Sequence, residues 1–426
     1  MAIAMLFGVF ALLLLVGVPV AFALAAAAFA TCGYLGLPFL VTVIEISSGA
    51  NSSTLIAIPL FILTGEIMLR GGLSDCIIAF AGSLVGHMRG GLGQVNVLAC
   101  LLFGGVSGSA IADVSAIGGT MIPQMKQRGF DADFAVNVAI TSALVALLVP
   151  PSHNLILYSA AAGGGISIAD LFAAGIIPAL MLMAAVMATT WFIARRRGYA
   201  IEAFPGFGPV LRRGVAALPG LLLIGIILGG IRAGVFTAVE SAAIAVIYAL
   251  AVALLVYRQL RWPAFVELIT GAVRTTGAIL FVIAAAAMFG WLLAYLQVPA
   301  TAVAALRAIA DSPSMVLLLM VMVLLVLGTF MDMAPLIIIC TPIFLPVAKA
   351  YGIAPVHFGI VLILTAGIGL ITPPVGSVLF VGAGIGQISV GQALRSIWPF
   401  YLAAIAVLLL VTFIPALSLW LPAVMR

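Results

Sequence analysis

Two polar clusters interrupt long apolar runs in the first half of the chain. The first is Ser107-Gly108-Ser109, followed one helical turn later by Asp113. Glycine and serine break a helix, and the freed helix ends offer amide donors for an anion and carbonyl oxygens for a small cation. Two hydroxyls and a carboxylate add further oxygen atoms. The cluster therefore predicts a site that binds an anion, a small cation or both.

The second cluster is PPSHN at 150–154. Two successive prolines remove two amide donors and break a helix. A break at membrane depth frees carbonyl oxygens, which suit Na⁺ because this hard cation prefers oxygen ligands. A plain kink is the alternative for one such pair. A second pair, in TPPVGS at 372–377, makes the kink-only interpretation less favoured.

The two Pro-Pro pairs belong to an internal repeat with an offset of 223 residues. Pro123 and Pro346 share this offset, and so do Pro151 and Pro374. Repeated halves in a very apolar chain are typical of a transporter, whose substrate and ion sites lie where the repeats meet.

The two copies of the repeat are not equal. The offset aligns Asp332 with Ser109, and it aligns Ser-His-Asn at 152–154 with Val-Gly-Ser at 375–377. An aspartate at membrane depth is costly unless it is paired or solvated, so Asp332 favours a functional role. Ser107 and Ser109 taken alone have a second interpretation, since small residues also cap helices and line helix contacts. The inequality predicts an asymmetric site, in which the residues that differ between the two copies select the substrate.

His153 has two interpretations. A histidine at this depth can relay protons. Alternatively, Ser152 and Asn154 satisfy it as a neutral hydrogen-bonding group, which is the preferred interpretation.

Four other ionisable residues have ordinary explanations. Glu66 is predicted to pair with Arg70 at i+4. Glu240 is predicted to stabilise a helix N-terminus. His87 and His357 lie near the ends of apolar runs and are predicted to be interfacial.

Composition requires a lipid environment. The chain is 65% hydrophobic and 7% charged, with a mean hydropathy of +1.38, and its long apolar runs lack the alternation of a barrel. The charge-free run 2–30 is predicted to be a retained first span. Amphipathic segments near 73–89 and 299–311 are predicted to lie along the interface. Spans are predicted near 2–30, 53–70, 134–162, 171–194, 215–231, 237–256, 276–297, 357–381 and 396–421.

Two further apolar stretches, 91–122 and 313–348, are predicted to be re-entrant hairpins. They are interrupted by small or polar residues at 104–113 and 328–335, and irregular backbone at membrane depth is tolerated where protein buries it.

The distribution of basic residues predicts the topology. With the arginines at 195–197 in the cytoplasm, 13 of the 17 basic residues fall on that side, as the positive-inside rule requires. The exceptions are Arg232, Arg307, Lys349 and Arg426. Lys126 and its repeat counterpart Lys349 are separated by five predicted spans, so the second copy is inverted.

The predicted fold class is an all-α polytopic membrane protein built from inverted repeats, with two re-entrant hairpins and two broken helices. Four segments are predicted: 1–72, first-repeat scaffold helices; 73–200, first-repeat arm and transport elements, with hairpin 91–122 and broken helix 134–162; 201–295, a linker span and second-repeat scaffold helices; and 296–426, second-repeat arm and transport elements, with hairpin 313–348 and broken helix 357–381.

Catalytic chemistry is not indicated. The sequence contains no GxSxG, HExxH or Walker-type GxxxxGK[ST] motif, and its four cysteines form no CxxC pair, so no enzyme activity, catalytic residue or metal centre is predicted. The net charge of +5 is expected of cytoplasmic loops and does not indicate nucleic-acid binding.

Five segments together resemble a known family. They are IPLFILTGEIM (58–68), GGLGQVNVLACLLFGGVSGSAIAD (90–113), PPSHNLILYS (150–159), FTAVESAA (236–243) and LITPPVGSVLFV (370–381). The chain resembles the large membrane (permease) subunit of tripartite ATP-independent periplasmic (TRAP) transporters over essentially its whole length.

The resemblance implies Na⁺-coupled symport of an organic acid across a bacterial inner membrane by an elevator mechanism, in the ion-transporter superfamily fold. Its implied partners are a periplasmic substrate-binding protein and a small four-helix membrane subunit, expected as a separate chain. Na⁺ is the coupling ion and no cofactor is expected. The implied substrate-binding residues are Ser107, Gly108, Ser109, Ser152, His153 and Asn154. The implied sodium-binding residues are Ser107, Asp113, Pro151, Asp332, Thr372, Pro373, Pro374 and Gly376.

Two alternatives stay open at this point. A stand-alone Na⁺/dicarboxylate symporter of the same superfamily would have similar hairpins and broken helices. A polytopic assembly subunit without a transport path is the third hypothesis. Many family members have an apolar residue after PPS, where this chain has His153-Asn154, a departure that bears on the identity of the carried anion.

Overall fold

The computed structural model describes residues 1–51, 53–260, 262–307, 310 and 312–425, and this part of the chain is helical with no strand. Helices follow from the apolar composition, because backbone groups in lipid must bond within their own segment. Arg261 and Arg426, two of the residues in the charge count, lie outside the described part, as do residues 308, 309 and 311 of the predicted segment 299–311.

Eleven α-helices make up the described part of the first half. They are α1 Ala2–Leu15, α2 Val20–Tyr34, α3 Phe39–Ala50, α4 Ala57–Arg70, α5 Leu73–Val85, α6 Gly91–Ser107, α7 Ala110–Asp113, α8 Gly119–Gln127, α9 Ala132–Ser142, α10 His153–Ala161 and α11 Ile168–Arg196. A π-helical turn, Val114–Gly118, joins α7 to α8, and a 3₁₀ turn, Val145–Leu147, follows α9.

Eleven helices also make up the described part of the second half. They are α12 Phe207–Arg232, α13 Ala238–Ala251, α14 Trp262–Tyr295, α15 Val298–Arg307, α16 Pro313–Phe330, α17 Met333–Ala350, α18 Pro355–Leu370, α19 Ser377–Gly386, α20 Val390–Ser396, α21 Trp398–Phe413 and α22 Ala416–Val424.

The internal repeat is present in the helix boundaries. α6 and α16 end 223 residues apart, and so do α8 and α17. The same offset relates the first residues of α7 and α17 and those of α9 and α18. The duplication predicted from the prolines is therefore a duplication of structure, while the inversion of the second copy stays a prediction.

The prediction of one continuous span over 2–30 is wrong. The chain leaves helix α1 at Val16 and re-enters helix at Val20, and the two helices pack against each other. Gly17 has a φ of +88°, a conformation that favours glycine, and Pro19 cannot continue a helix. The predicted span 396–421 is also divided, since α21 and α22 meet at a bend of 62°.

Both predicted hairpins break inside the predicted intervals. The first breaks at Gly108-Ser109, after which α8 folds back to contact α6, and the second breaks at Met331-Asp332, between α16 and α17. Each arm of the second hairpin has 18 residues and is long and apolar enough to cross a membrane. Helix length alone therefore does not distinguish a re-entrant pair from two crossings, and re-entrance stays a prediction.

Both predicted broken helices are broken. The first consists of α9, the 3₁₀ turn and α10, and the second of α18 and α19, with non-helical backbone at each Pro-Pro pair. The bonds Pro150–Pro151 and Pro373–Pro374 are both cis. α10 packs against α17, whereas α19 packs against α8 and α9. Each broken helix thus contacts the hairpin of the other repeat, which joins the four elements into one body.

Helix α14 packs against α2, α3 and α4, and also against α17 of the second hairpin, while α13 packs on α4. Six helices of the described residues are long and apolar enough to cross a membrane, or up to nine spans if each bent pair counts as one. The chain is thus a multi-pass membrane protein, as predicted. The four predicted segments stay a prediction.

The predicted cytoplasmic arginine cluster joins the end of α11 to the start of α9. Arg197 binds Asp131 at 2.7 Å and Asp133 at 2.9 Å. The Tyr199 hydroxyl donates to Asp131 at 2.7 Å. Burial, and next the bond to Asp131, raise the pKa of Tyr199, so the phenol remains a donor at neutral pH.

Candidate functional site

A cavity of about 580 Å³ lies where the two hairpin breaks approach each other. Ser107 and Ser109 line it from the first break, and Asp332 lines it from the second. His153 and Asn154, at the start of α10, line it as well. Residues predicted from three separate parts of the sequence therefore share one cavity.

The first hairpin break holds a buried carboxylate. The Asp113 side chain is fully buried, and the Ser107 hydroxyl donates a short hydrogen bond to its Oδ1. Its Oδ2 has no hydrogen-bond partner among the described residues. Ser109 precedes α7, and its Oγ accepts from the amide of Ala112 at 3.4 Å. Ser109 is therefore a helix cap as well as a cavity residue, and Asp113 presents an oxygen that a cation could bind.

The first broken helix is tied to this hairpin break. The Asn154 side-chain amide donates to the carbonyl of Gly108 at 3.0 Å. Gly108 has a φ of +59°, and a Cβ there would lie 3.1 Å from His153 Nδ1 and 3.2 Å from the Pro151 carbonyl. Glycine is thus favoured both by the left-handed turn and by the close approach of the two segments.

The prediction that Ser152 and Asn154 satisfy His153 is wrong. The Ser152 hydroxyl donates to the carbonyl of Leu147 at 2.7 Å, and Asn154 donates to Gly108. Both side chains hold the broken helix and neither bonds to His153, which lines the cavity. The alternative interpretation, proton relay by His153, is not tested.

The second repeat makes the corresponding tie with different groups. Asp332 precedes α17 as Ser109 precedes α7, and the Ser377 hydroxyl donates to Asp332 Oδ1 at 3.1 Å. Ser377 lies 223 residues after Asn154. In both copies, therefore, the same position of the broken helix bonds to the hairpin break of its own repeat. Asp332 is exposed to the cavity, in contrast to the buried Asp113.

The Pro-Pro segments present carbonyl oxygens without hydrogen bonds. In the described part of the chain, this holds for Pro151 in the first repeat and for Thr372, Pro373 and Pro374 in the second. The Thr372 hydroxyl donates backwards to Ile368 at 2.7 Å. Gly376 has a φ of +38°, and a Cβ there would lie 2.9 Å from the Thr372 carbonyl. These oxygens and the Asp113 carboxylate are the donor types that fit Na⁺.

Sequence reasoning missed the wall of the cavity opposite the hairpin breaks. Glu66 of α4 and Arg274 of α14 both line it. The predicted Glu66–Arg70 pair is present at 3.6 Å, but Arg70 also binds Glu267 at 2.8 Å. No spacing rule connects residues 66 and 274, because their common position depends on how α4 packs against α14.

The structure describes the surroundings of Glu240 and His357, two of the ionisable residues for which no site role is predicted. Thr237 and Glu240 form a reciprocal capping box at the start of α13, which confirms the predicted helix-terminal role. His357, in the first turn of α18, is buried and its Nδ1 lies 2.7 Å from the Ser418 hydroxyl, while its interfacial depth stays a prediction.

Comparisons with known proteins agree over nearly the whole chain. Residues 7–417 match the family described as the tripartite ATP-independent periplasmic transporter, DctM component. The C4-dicarboxylate TRAP transporter large permease protein DctM of Pseudomonas aeruginosa is 38% identical, over 89% of this chain and 88% of that protein. The sialic acid TRAP transporter large permease protein SiaM of Vibrio cholerae is 37% identical, over 96% of each.

A solved structure shares the fold. The crystal structure of the Alcanivorax borkumensis YdaH transporter aligns with a TM-score of 0.61 at 16% identity and covers 96% of this chain and 97% of that one. At this identity the likeness concerns the fold alone.

Proposed function

Because this chain belongs to the DctM-component family of tripartite ATP-independent periplasmic transporters, we propose that it is the large permease subunit of a Na⁺-coupled importer of an organic carboxylate. The observation that carries the proposal is the cavity that both hairpin breaks line, with the buried Asp113 carboxylate directly behind the first break. A carboxylate with an unpartnered oxygen is costly to bury, and a bound cation offsets that cost.

The proposed substrate is a small carboxylate anion. Relatives at 37–38% identity are named for sialic acid and for C4-dicarboxylates, and both kinds of molecule carry a carboxylate. In this proposal Ser107, Gly108, Ser109, Ser152, His153 and Asn154 form the substrate side of the site. Of these, Ser107, Ser109, His153 and Asn154 already line the cavity, and Ser152 and Gly108 hold the backbone that carries them.

Na⁺ is proposed to bind at oxygen atoms of the two breaks. In the first repeat the ligands would come from Ser107, Asp113 and the carbonyl of Pro151. In the second they would come from Asp332 and the segment Thr372, Pro373, Pro374 and Gly376. The fit of these residues to Na⁺ rests on the chemistry of their oxygen atoms. They offer carboxylate and carbonyl oxygens, each of which accepts at most one hydrogen bond.

We propose an elevator movement in which the hairpins and broken helices slide as one body past the helices around α14. Two observations support it: the repeats are joined by reciprocal packing of α10 on α17 and of α19 on α8, and the cavity lies between this body and α4 and α14. Movement with Na⁺ alone would dissipate the gradient, so closure of the site must require both ion and substrate. Na⁺ should therefore raise the affinity for substrate.

The proposed partners follow from the family. They are a small four-helix membrane subunit and a periplasmic substrate-binding protein, and the proposed location is the bacterial inner membrane. A row of large apolar side chains on α12 is exposed, including Phe207, Leu211, Val215, Leu218 and Leu222. Such a face suits lipid or an apolar partner helix.

Reconstitution tests the proposal. The chain, its small membrane partner and its binding protein are placed in vesicles, and uptake of succinate and of sialic acid is followed with an inward Na⁺ gradient or with choline in its place. We expect uptake of one of them only with Na⁺ and all three proteins. Equal uptake in choline would refute Na⁺ coupling, and uptake by the chain alone would favour the stand-alone symporter.

A further inference from the structure

The wall of the cavity opposite the hairpin breaks carries an arginine that the proposed ion and substrate sites do not use. Arg274 lies on α14, beside Thr275, and both line the cavity. We propose that Arg274 binds a carboxylate of the substrate from this wall, so that the anion is held between Arg274 and the hydroxyl and amide groups of the first break. The inference rests on the proposed function, since it assigns a further recognition residue to the same cavity.

The charges around the cavity single out Arg274. The ionisable residues that line it are Glu66, Asp332, His153 and Arg274. Glu66 pairs with Arg70, which also binds Glu267, so Arg70 is neutralised by two carboxylates. Arg274 has neither an ion pair nor a hydrogen bond within the described part of the chain.

Guanidinium geometry suits the proposed ligand. The planar group offers two parallel N–H donors to the two oxygens of a carboxylate, and it remains charged at any physiological pH. The Arg274 side chain is exposed to the cavity, so a carboxylate can reach it without displacing a protein partner. A neutral solute of similar shape would gain less from this contact, because a charge-assisted hydrogen bond is roughly twice as strong as a neutral one, so Arg274 favours anions.

The position of Arg274 makes its contact specific to one conformation. α14 packs with α2, α3 and α4 and also contacts α17 of the second hairpin, whereas Ser107 and Ser109 belong to the break of the first hairpin. If the hairpins and broken helices move as proposed, the distance from Arg274 to the hairpin break changes during the cycle. Arg274 would therefore stabilise the substrate at one end of the movement only, and its loss should alter affinity on one face of the membrane more than on the other.

Charge-removing and charge-retaining variants test the contact. The chain, its small membrane partner and its binding protein are placed in vesicles. Uptake is measured with the substrate that the wild type transports, succinate or sialic acid, and the substrate is supplied at one face of the membrane and then at the other. We expect Arg274→Gln to raise the half-saturation concentration by about threefold to tenfold, because an ion pair open to solvent contributes about 1 kcal/mol. Arg274→Lys keeps the charge and should raise the half-saturation concentration less than Arg274→Gln does. The difference in half-saturation concentration between wild type and Arg274→Gln should shrink at high ionic strength. Arg213→Gln removes an exposed cation of α12 that does not line the cavity and is the matched control.

A second pair of variants keeps Arg274 itself intact. Ala278 lies one helical turn further along α14 and also lines the cavity. Ala278→Glu supplies a competing carboxylate at i+4 and should weaken substrate affinity several-fold, whereas Ala278→Gln has the same size and no charge. Equal effects of Glu and Gln, or unchanged affinity in Arg274→Gln beside normal Na⁺-dependent uptake, would overturn the inference. Failure of the proposed function is distinct from this, since it would abolish Na⁺-dependent uptake in the wild type.

Discussion

Replacement of Asp113 by asparagine gives the sharpest test of the proposed ion site. Asparagine has nearly the same shape as aspartate and keeps an oxygen that can accept the Ser107 hydrogen bond. It removes the negative charge and replaces the unpartnered Oδ2 by an amide. We expect the variant to fold and to lose the stabilisation by Na⁺ that depends on this carboxylate.

The expected size follows from burial and mass action. Asp113 is fully buried and only one of its oxygens accepts a hydrogen bond, so without Na⁺ its charge costs the folded state several kcal/mol. Asn removes that cost, and the variant should be at least as stable as the wild type in choline. Na⁺ at about 100 times its Kd stabilises the wild type by roughly 2.7 kcal/mol per site. The Asn variant should keep only the part of the Na⁺ stabilisation that comes from the ion site of the second repeat.

Thermal unfolding of the purified protein across a Na⁺ titration, with choline holding the ionic strength constant, measures both effects. Asp75→Asn is the control, because Asp75 is an exposed aspartate in the first turn of α5. Ser107→Ala adds a double-mutant cycle: it should cost about 1.5 to 3 kcal/mol with Asp113 present and less with Asn in its place. A Na⁺-dependent shift of equal size in wild type and Asp113→Asn would refute the assignment of Asp113 to the ion.

Two further predictions concern the structure around the site. Asn154→Ala leaves the buried Gly108 carbonyl without its donor and should destabilise the protein by about 1 to 3 kcal/mol while weakening substrate binding, as unfolding and uptake assays would reveal. Gly359→Ala places a Cβ 2.3 Å from the Tyr158 ring and should cost about 1 to 3 kcal/mol of stability. Gly384→Ala has open space around it and should be neutral or slightly stabilising, so an equal loss there would contradict the steric explanation.

The positions of the helix breaks were predictable because they depend on local chemistry. The polar Ser-Gly-Ser interruption and the two Pro-Pro pairs each mark a helix break, and the 223-residue offset relates the breaks of the two copies, so that Asp332 is correctly aligned with Ser109. The break at Gly17 and Pro19 had the same local cause. A charge-free apolar run therefore does not guarantee one continuous helix when a glycine and a proline lie within it.

The partners of the side chains were not predictable from sequence. Asn154 and Gly108 are 46 residues apart, and their hydrogen bond depends on how the broken helix docks on the hairpin. The expected bonds to His153 are absent for a related reason, because the Ser152 hydroxyl donates to the backbone carbonyl of Leu147 instead. The position of Arg274 at the cavity depends on a still longer-range contact, the packing of α14 against α4, which belong to different repeats.

The unequal carboxylates of the two repeats bear on the order of binding. Asp113 is buried behind the first break, so a cation there would be shielded from the substrate, whereas Asp332 faces the cavity that the anion must enter. Two unit charges about 4 Å apart repel by roughly 1 to 4 kcal/mol between the limits of water and a protein surface. A carboxylate substrate therefore meets a barrier at Asp332 until a cation neutralises it. In the proposed mechanism, such repulsion would make Na⁺ binding at the second break precede the anion, and the inequality of the two copies, rather than their symmetry, would couple the ion to its substrate.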